Sequence, residues 1–283
     1  QSLHYENSGF LFFENGDGFN FKSYEGLFCK KDGSPRPVKA HYSPKIKNIG
    51  EDPVYALQSV ENFAIIQQFD TLNNTANGVY SSRLITHDLY NKTFSETDFD
   101  YNKEYSKQNH LEQDVNGDKR DDNGILPFFN FDNGETFGSK NEGNIYYQST
   151  TSKVHNSYEQ PEVEQILQKR ISQHIAANSL MIEITAPGTT ELRVGDIVNF
   201  TLPKYAPASK NDIKDNDQYL SGRYLISAAR HHVSTLNKRH TLALELIKDS
   251  FNIGYPEEEN ELFTTNEAQD GGAYRASAID DLS

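Results

Sequence analysis

The amino-acid sequence predicts a β-rich α+β fold, in which a small antiparallel β-barrel is preceded by a helix and by a mixed, hairpin-rich domain. Three observations predict this class. The chain has 16 Tyr and 17 Phe in 283 residues, and aromatic side chains favour strands. Asn-Gly and Asp-Gly pairs recur along it, and such pairs form the tight turns of β-hairpins. One stretch with helical periodicity is followed by segments whose apolar residues alternate, as they do in strands.

The segment GFLFFENGDGFNFKSYEGLF, residues 9–28, predicts a β-hairpin. Its apolar run breaks at residues 15–18, Asn-Gly-Asp-Gly, and resumes with Phe19 and Phe21 on one face of the second arm. Glycine supplies the positive φ that such a turn requires. We expect at least two of Phe12, Phe19 and Phe21 to enter the core, and any that do not to contact a partner protein.

The next segments are less regular. Residues 30–53 contain four prolines and predict an extended connector. The pattern of residues 60–69 favours a strand, with Phe63, Ile65 and Phe69 on the same face. A helix remains the alternative there, because an apolar stripe with helical spacing is formed by Val54, Leu57, Val60 and Ala64. After a turn at Asn77-Gly78, residues 79–90 alternate and predict a second hairpin arm. Residues 91–144 are polar and predict long loops.

One helix is clearly predicted. Pro161 suits its first turn and Asn178 its end. Its apolar residues recur at spacings of three and four and form a stripe of Val163, Ile166, Leu167, Ile171 and Ile175.

Alternating strands follow the helix. Residues 180–184 and 192–200 each predict a strand, with a bend at Gly195-Asp196 in the second, and residues 219–233 and 239–251 predict a hairpin. These patterns divide the chain into a hairpin-rich domain at 1–155, a helix-plus-barrel domain at 156–252 and an acidic, disordered tail at 253–283.

The charge distribution excludes some partners. The formal net charge is -14, from 27 Lys and Arg against 41 Asp and Glu. Half of it lies in residues 256–283, where eight acids and one base give -7. A field of this sign repels phosphate, so no stable nucleic-acid binding is expected. No segment is long and apolar enough to predict a membrane helix. The chain begins at Gln1, and we expect an N-terminal portion to precede it.

Histidines suggest a metal site that the strand geometry disfavours. His231 and His232 are adjacent, so on a strand they point to opposite faces. Only one of them can therefore pair with His240 across the hairpin, which leaves two ligands and no nearby cysteine. Asp114, Asn116 and Asp118 resemble the start of a calcium loop, but Lys119 and Ile125 replace the glycine and the glutamate that the loop needs. The sequence predicts no metal and no cofactor.

Catalytic patterns are also weak. Carboxylate pairs such as Glu14 with Asp17, or Asp121 with Asp122, have no spacing that defines a sugar cleft. Cys29 has no histidine linked to it by a known motif, and no nucleophile elbow or phosphate-binding loop occurs. We predict that the protein is not an enzyme.

Taken in order, four segments resemble a known family. They are QKRISQHIAANSLMIEITAPG, LRVGDIVNFTLP, YLSGRYLISAARHHVS and RHTLALELIKDS. This run is similar to the second barrel of the central baseplate hub of contractile-tailed, T-even-like bacteriophages, and more distantly to type VI secretion spike proteins. FLFFENGDGFNFKSYEGL and FDTLNNTANGVYSSRLITHDLYNKTF resemble the upstream half of such hubs. The family's first barrel has no counterpart in the chain, and the loop near residues 100–150 and the acidic tail match nothing in it.

The resemblance implies a mechanical role in the virion. Hubs of this family are homotrimers that join a hexameric tail tube protein to a trimeric central spike protein, and baseplate wedge proteins are further possible partners. The resemblance also implies a tail-hub type barrel in the tail baseplate, assembled in the host cytoplasm. In such a barrel Arg223, Arg230 and His231 would be polar groups of the barrel surface and of the assembly interface, some of them facing an inter-subunit seam or the central channel. Two alternatives are a tail-associated enzyme that degrades cell wall or carbohydrate, with carboxylates in residues 100–144, and a non-viral barrel module that binds a protein.

Overall fold

The computed structural model describes residues 9–31, 33–44, 57–68, 74, 78–88, 92–105, 108–112, 144–150, 163–203, 216–217 and 219–251. The helices are α1 (Tyr24–Phe28), α2 (Tyr101–Tyr105) and α3 (Val163–Ala177). The strands are β1 (Phe10–Asn15), β2 (Gly18–Ser23), β3 (Val38–Pro44), β4 (Ser59–Val60), β5 (Asn62–Gln68), β6 (Ser82–Asp88), β7 (Thr93–Phe99), β8 (Ile145–Thr150), β9 (Leu180–Pro187), β10 (Ile197–Phe200), β11 (Gly222–Ser234) and β12 (Arg239–Lys248).

Seven strands form the main sheet, in the order β4-β3-β10-β11-β12-β9-β5. The β3 strand runs parallel to both β4 and β10, and the other ladders are antiparallel. The predicted β-rich class is confirmed. The sheet curls into a half-barrel, and two of its ladders are parallel where the sequence predicts an antiparallel barrel.

Strand alternation sets the core of this sheet. Leu242, Leu244 and Leu246 on β12 are fully buried on its concave face, as the alternating pattern predicts. They join Tyr224 and Ile226 of β11 and the other members of the cluster, Tyr42, Val60, Leu180, Ile182, Ile184, Ala186, Leu192, Val198, Phe200 and Leu202. Each large apolar side chain buried in this way contributes about 1.5–3 kcal/mol.

A second apolar layer covers the convex face. Ile197, Leu225 and Ile247 alternate with the concave-face residues and contact α1 through Leu27 and Phe28. The α1 helix begins at a conventional cap, because the Ser23 Oγ accepts a hydrogen bond of 3.1 Å from the Gly26 N–H.

A smaller sheet, in the order β7-β6-β8, lies against α3. The helix has the predicted extent, but its most buried side chains are not the predicted apolar stripe. Gln168 is buried and donates hydrogen bonds to the carbonyls of Ser82, at 2.8 Å, and Thr97, at 3.1 Å, whereas Ile171 and Ile175 are half-buried. Gln168 is buried because it satisfies backbone groups of the small sheet, and Gln173 is buried where its side-chain amide donates hydrogen bonds to the side chains of Glu25 and Gln108.

Several predictions for the N-terminal half need correction. The connector at 30–53 contains β3, a strand of the main sheet. The arm at 79–90 pairs with β7 and β8 rather than with the strand at 60–69, which pairs with β9. Residues 91–144 contain β7 and α2, so they are not loops throughout.

The main sheet also bears on the division of the chain. It takes β3, β4 and β5 from before residue 155 and β9–β12 from after it, so that boundary runs through one sheet. The carboxylates Asp121 and Asp122, the calcium-like loop and the acidic tail lie outside the described residues. Within the described part of the chain, no helix is both long and apolar enough to cross a membrane.

Candidate assembly surface

The β1–β2 hairpin forms as predicted and is fastened to the main sheet at its tip. Gly16 and Asp17 make the turn, and Gly18 follows with a φ of 121°, which favours glycine. Arg193, in the loop before β10, forms an ion pair with Asp17. From the same tip, the Asn15 Nδ2 donates a 3.4 Å hydrogen bond to the Val194 carbonyl.

The inner face of the hairpin is part of the convex-face core. Leu11 and Phe13 pack there against the cluster that includes Leu27. Gly195 lies under the Phe13 ring with a φ of 89°, and a Cβ at this position would stand 3.0 Å from Phe13 Cζ. The predicted bend at Gly195-Asp196 is therefore present, and it leaves room for the aromatic ring.

The outer face of the hairpin carries four phenylalanines, Phe10, Phe12, Phe19 and Phe21, which we call the Phe ladder. Phe12 and Phe21 are directly opposite in the strand register, and the rings stack in the pairs Phe10–Phe21, at 5.1 Å, and Phe12–Phe19, at 5.8 Å. Phe12, Phe19 and Phe21 are 70%, 74% and 65% exposed. The expectation that at least two of them enter the core is wrong. A contiguous apolar strip of this kind is typical of an interaction surface.

A second apolar surface lies on the small sheet, on the face away from α3. Its residues are Phe94 on β7 and Ile145 and Tyr147 on β8, and all three are exposed. They share strand parity with Ile85 of β6, whereas Leu84 points the other way and is buried. We call these three residues the small-sheet patch.

The arginines and the histidine predicted on the barrel surface do not share one environment. Arg230 and His231 are exposed on β11. Arg223 is only 8% exposed, and its guanidinium Nη2 donates a 2.6 Å hydrogen bond to the Arg36 carbonyl. Burial lowers the pKa of Arg223, an effect that the charge of Glu112 opposes. Arg223 is therefore a structural residue rather than a surface group.

A buried ion pair at the start of β11 was not predicted. Lys248 Nζ lies 3.0 Å from Glu112 Oε1, and it also donates a 2.8 Å hydrogen bond to the Ser221 carbonyl. The same Glu112 oxygen accepts a 2.7 Å hydrogen bond from the Arg223 backbone N–H. Burial lowers the pKa of Lys248, and the Glu112 carboxylate opposes that shift. Lys248 shares the inward parity of Leu242, Leu244 and Leu246, and this parity is the sequence signal that could have located it.

A hydrogen-bonded histidine–aspartate pair extends this cluster. His110 Nδ1 lies 2.9 Å from Asp249 Oδ2, and the other ring nitrogen lies 3.0 Å from the Tyr105 carbonyl. Asp249 also accepts a 3.1 Å hydrogen bond from the Leu111 N–H through Oδ1. These contacts fasten residues 108–112 to the end of β12. Lys248, Glu112, His110 and Asp249 are thus hydrogen-bonded to one another and to backbone groups.

Comparison with known proteins gives little beyond this description. No protein family and no curated protein matches the sequence. One solved structure similar to this chain is the tail protein from Neisseria meningitidis MC58, with 10% sequence identity and a TM-score of 0.36. The alignment covers 78% of this chain and 46% of that one, so the chain spans about half the length of that protein. At this TM-score and identity the likeness establishes neither a common fold nor a common function.

Proposed function

We propose that the protein is a structural hub of a phage tail baseplate, a trimeric adaptor that joins the hexameric tail tube to the trimeric spike. The observation that carries the proposal is the Phe ladder. Exposure of a strip of apolar rings to water is unfavourable, and burial of the strip against another protein removes this free-energy cost. The resemblance of six sequence segments to phage hubs suggests the kind of assembly to which this surface would belong.

The ladder and the small-sheet patch together suit a ring of identical subunits. A cyclic trimer needs two different complementary surfaces on every subunit, since each copy meets its two neighbours through unlike faces. The described residues include two separate apolar surfaces of this kind, the Phe ladder on the hairpin and the small-sheet patch. Apolar contacts also suit copies that each carry a net charge of -14 and repel one another at longer range.

The topology of the main sheet supports a barrel in the assembled hub. Strands β4 and β5 stand at opposite ends of the sheet order, yet only Glu61 separates them in the chain. The Glu61 backbone N–H donates a 2.8 Å hydrogen bond to the Thr185 carbonyl of β9. The two ends of the sheet are therefore joined by a single residue, and we propose that the half-barrel closes there. A closed barrel would leave few free edges to pair at random.

We propose that this role is not enzymatic. Two buried pairs among the described residues, Lys248 with Glu112 and His110 with Asp249, hold segments of the chain together. Asp17, one of the carboxylates considered for sugar chemistry, is paired with Arg193. Side chains used in this way stabilise the fold and leave no free acid and base in those pairs. The tail-associated enzyme stays the alternative, and its carboxylates would lie in residues 100–144.

The mass of the protein in solution tests the proposal. Light scattering of the full chain, alone and with the tube and spike proteins, should give a trimer in at least one of these conditions. The double variant Phe12→Ser/Phe19→Ser should remain folded, as judged by circular dichroism, and lose the trimer. Leu236→Ser is the matched control, since Leu236 is 94% exposed on the β11–β12 turn and lies outside both surfaces.

Two results would contradict the proposal. The first is a monomer whose mass is unchanged by the tube and spike proteins. The second is a trimer that survives the loss of Phe12 and Phe19, which would exclude the ladder as the assembly surface.

A further inference from the structure

Two imidazole rings meet at the rim of the curled sheet. His231 Nδ1 lies 3.1 Å from His240 Nε2, and the ring centroids are 5.3 Å apart. In the β11–β12 register His231 is opposite Leu242, which is fully buried on the concave face. His240 shares the parity of Leu242, so both rings lie on the concave side, just beyond the last buried leucine.

The backbone beside the pair is shaped to accommodate it. Gly188, after β9, donates a 2.9 Å hydrogen bond from its N–H to the His240 carbonyl. A Cβ at Gly188 would stand 2.1 Å from His240 Cγ, so no larger residue leaves room for the ring in this position. His232 follows His231 on the strand and therefore points to the opposite face.

We propose that His231 and His240 form a binding site for a divalent transition-metal ion of the Ni²⁺ or Cu²⁺ type. Neutral imidazole is a common ligand of these ions, and it binds first-row metals such as zinc at about 2.0–2.1 Å. Two bonds of this length to nitrogens 3.1 Å apart enclose an angle of about 95–102° at the ion. This range lies between the right angle of square-planar and octahedral coordination and the tetrahedral angle preferred by structural zinc. The choice of ion rests instead on affinity, because sites of this kind bind Ni²⁺ and Cu²⁺ more tightly than Mn²⁺, Fe²⁺ or Co²⁺.

The site is an open one. Among the described residues, no group of three or more His, Cys, Asp and Glu side chains could hold a metal ion, so this part of the chain supplies two ligands and water would supply the rest. Arg239, the residue before His240, is ion-paired with Glu61, which offsets its charge beside the site. The sequence alone predicts no metal here, and the cross-strand nitrogen spacing is the observation that changes this conclusion.

Titration of the full chain with Ni²⁺, followed by calorimetry at pH 8 in a buffer that does not chelate metals, tests the proposal. Loss of an outer-shell partner already weakens a metal site by roughly 10- to 100-fold, so loss of a ligand should cost at least tenfold. His231→Ala and His240→Ala should each weaken binding by at least that factor. His232→Ala is the matched control and should bind Ni²⁺ like the unmodified protein. The proposal is overturned if both ligand variants retain the affinity, or if His232→Ala loses as much as they do.

A spectroscopic measurement separates loss of a ligand from loss of folding. With one equivalent of Cu²⁺, electron paramagnetic resonance should show coupling to two imidazole nitrogens in the unmodified protein and to one in His231→Ala. Circular dichroism of the same samples verifies that the variant is folded. Identical spectra from the two folded proteins would show that His231 is not a ligand and would overturn the proposal.

Discussion

The buried ion pair between Lys248 and Glu112 gives the sharpest stability prediction. Glu112→Gln removes the negative charge while keeping an oxygen that can accept the hydrogen bond from the Arg223 N–H. Lys248 is then left as an unpaired ammonium in a side chain that is fully buried. Removing one member of a buried pair typically costs about 3–5 kcal/mol, because the remaining charge keeps its desolvation penalty.

The geometry sets both the size and the limit of this loss. At 3.0 Å and an effective dielectric constant of about 20, the lost attraction is about 5.5 kcal/mol. Lys248 can avoid this desolvation penalty by losing its proton. For an amine with the ordinary pKa of 10.5, deprotonation at pH 7 costs about 4.8 kcal/mol, which limits the total loss. The free energy of unfolding should therefore fall by about 3–5 kcal/mol.

Urea unfolding followed by far-ultraviolet circular dichroism, at one fixed protein concentration, measures this change. Adding Lys248→Met to Glu112→Gln removes the buried charge and should restore part of the lost stability. Glu191→Gln is the control, since Glu191 is an exposed acid and its change should fall within about 0.5 kcal/mol. A loss below about 1 kcal/mol for Glu112→Gln, or no recovery in the double variant, would refute the reasoning.

Three further predictions concern the core, the bend under the hairpin and alkaline pH. Leu244→Ala should lower the free energy of unfolding by about 2–5 kcal/mol in urea, and a loss below 1 kcal/mol would mean that the concave core is loosely packed. Gly195→Ala should cost more than about 1 kcal/mol, and more than Gly33→Ala, since both have positive φ but only Gly195 faces a ring. Burial raises the pKa of six tyrosines, Tyr24, Tyr42, Tyr80, Tyr101, Tyr105 and Tyr224. As the pH rises, the unfolded state therefore releases these protons before the folded state does, and the free energy of unfolding should fall above pH 10. A free energy of unfolding that stays constant from pH 9 to 11 would contradict this prediction.

Local periodicity was sufficient for the parts of the fold that local patterns determine. The alternating leucines of β12 and the turn of the β1–β2 hairpin are both where the sequence predicts them. The β3 strand was missed because its partner β10 is more than 150 residues away along the chain. The four prolines in residues 30–53 indicate a connector. The local sequence gives no sign that a distant parallel strand forms hydrogen bonds with the backbone groups between these prolines.

The errors in side-chain placement have a different physical cause. Apolar stripes locate a core only where an element has one buried face. The α3 helix has neighbours that offer backbone acceptors, so Gln168 is more useful in the interior than an aliphatic residue. The Phe ladder is the opposite case, because the inner face of its hairpin already covers the sheet and leaves the outer face to solvent. Both cases depend on which surfaces meet, and periodicity in one segment does not contain that information.

The anchoring of the hairpin links the stability of the fold to the proposed assembly. Phe13 packs over Gly195 while Asp17 and Asn15 hold the tip to the loop before β10. Association ordinarily costs about 0.5–1.5 kcal/mol for each side chain that must be immobilised. Rings that already stack in pairs on an anchored hairpin have lost much of that freedom before they meet a partner. For the same buried area, a strip that is already ordered in the free subunit should therefore bind its partner more tightly than a flexible loop of the same composition.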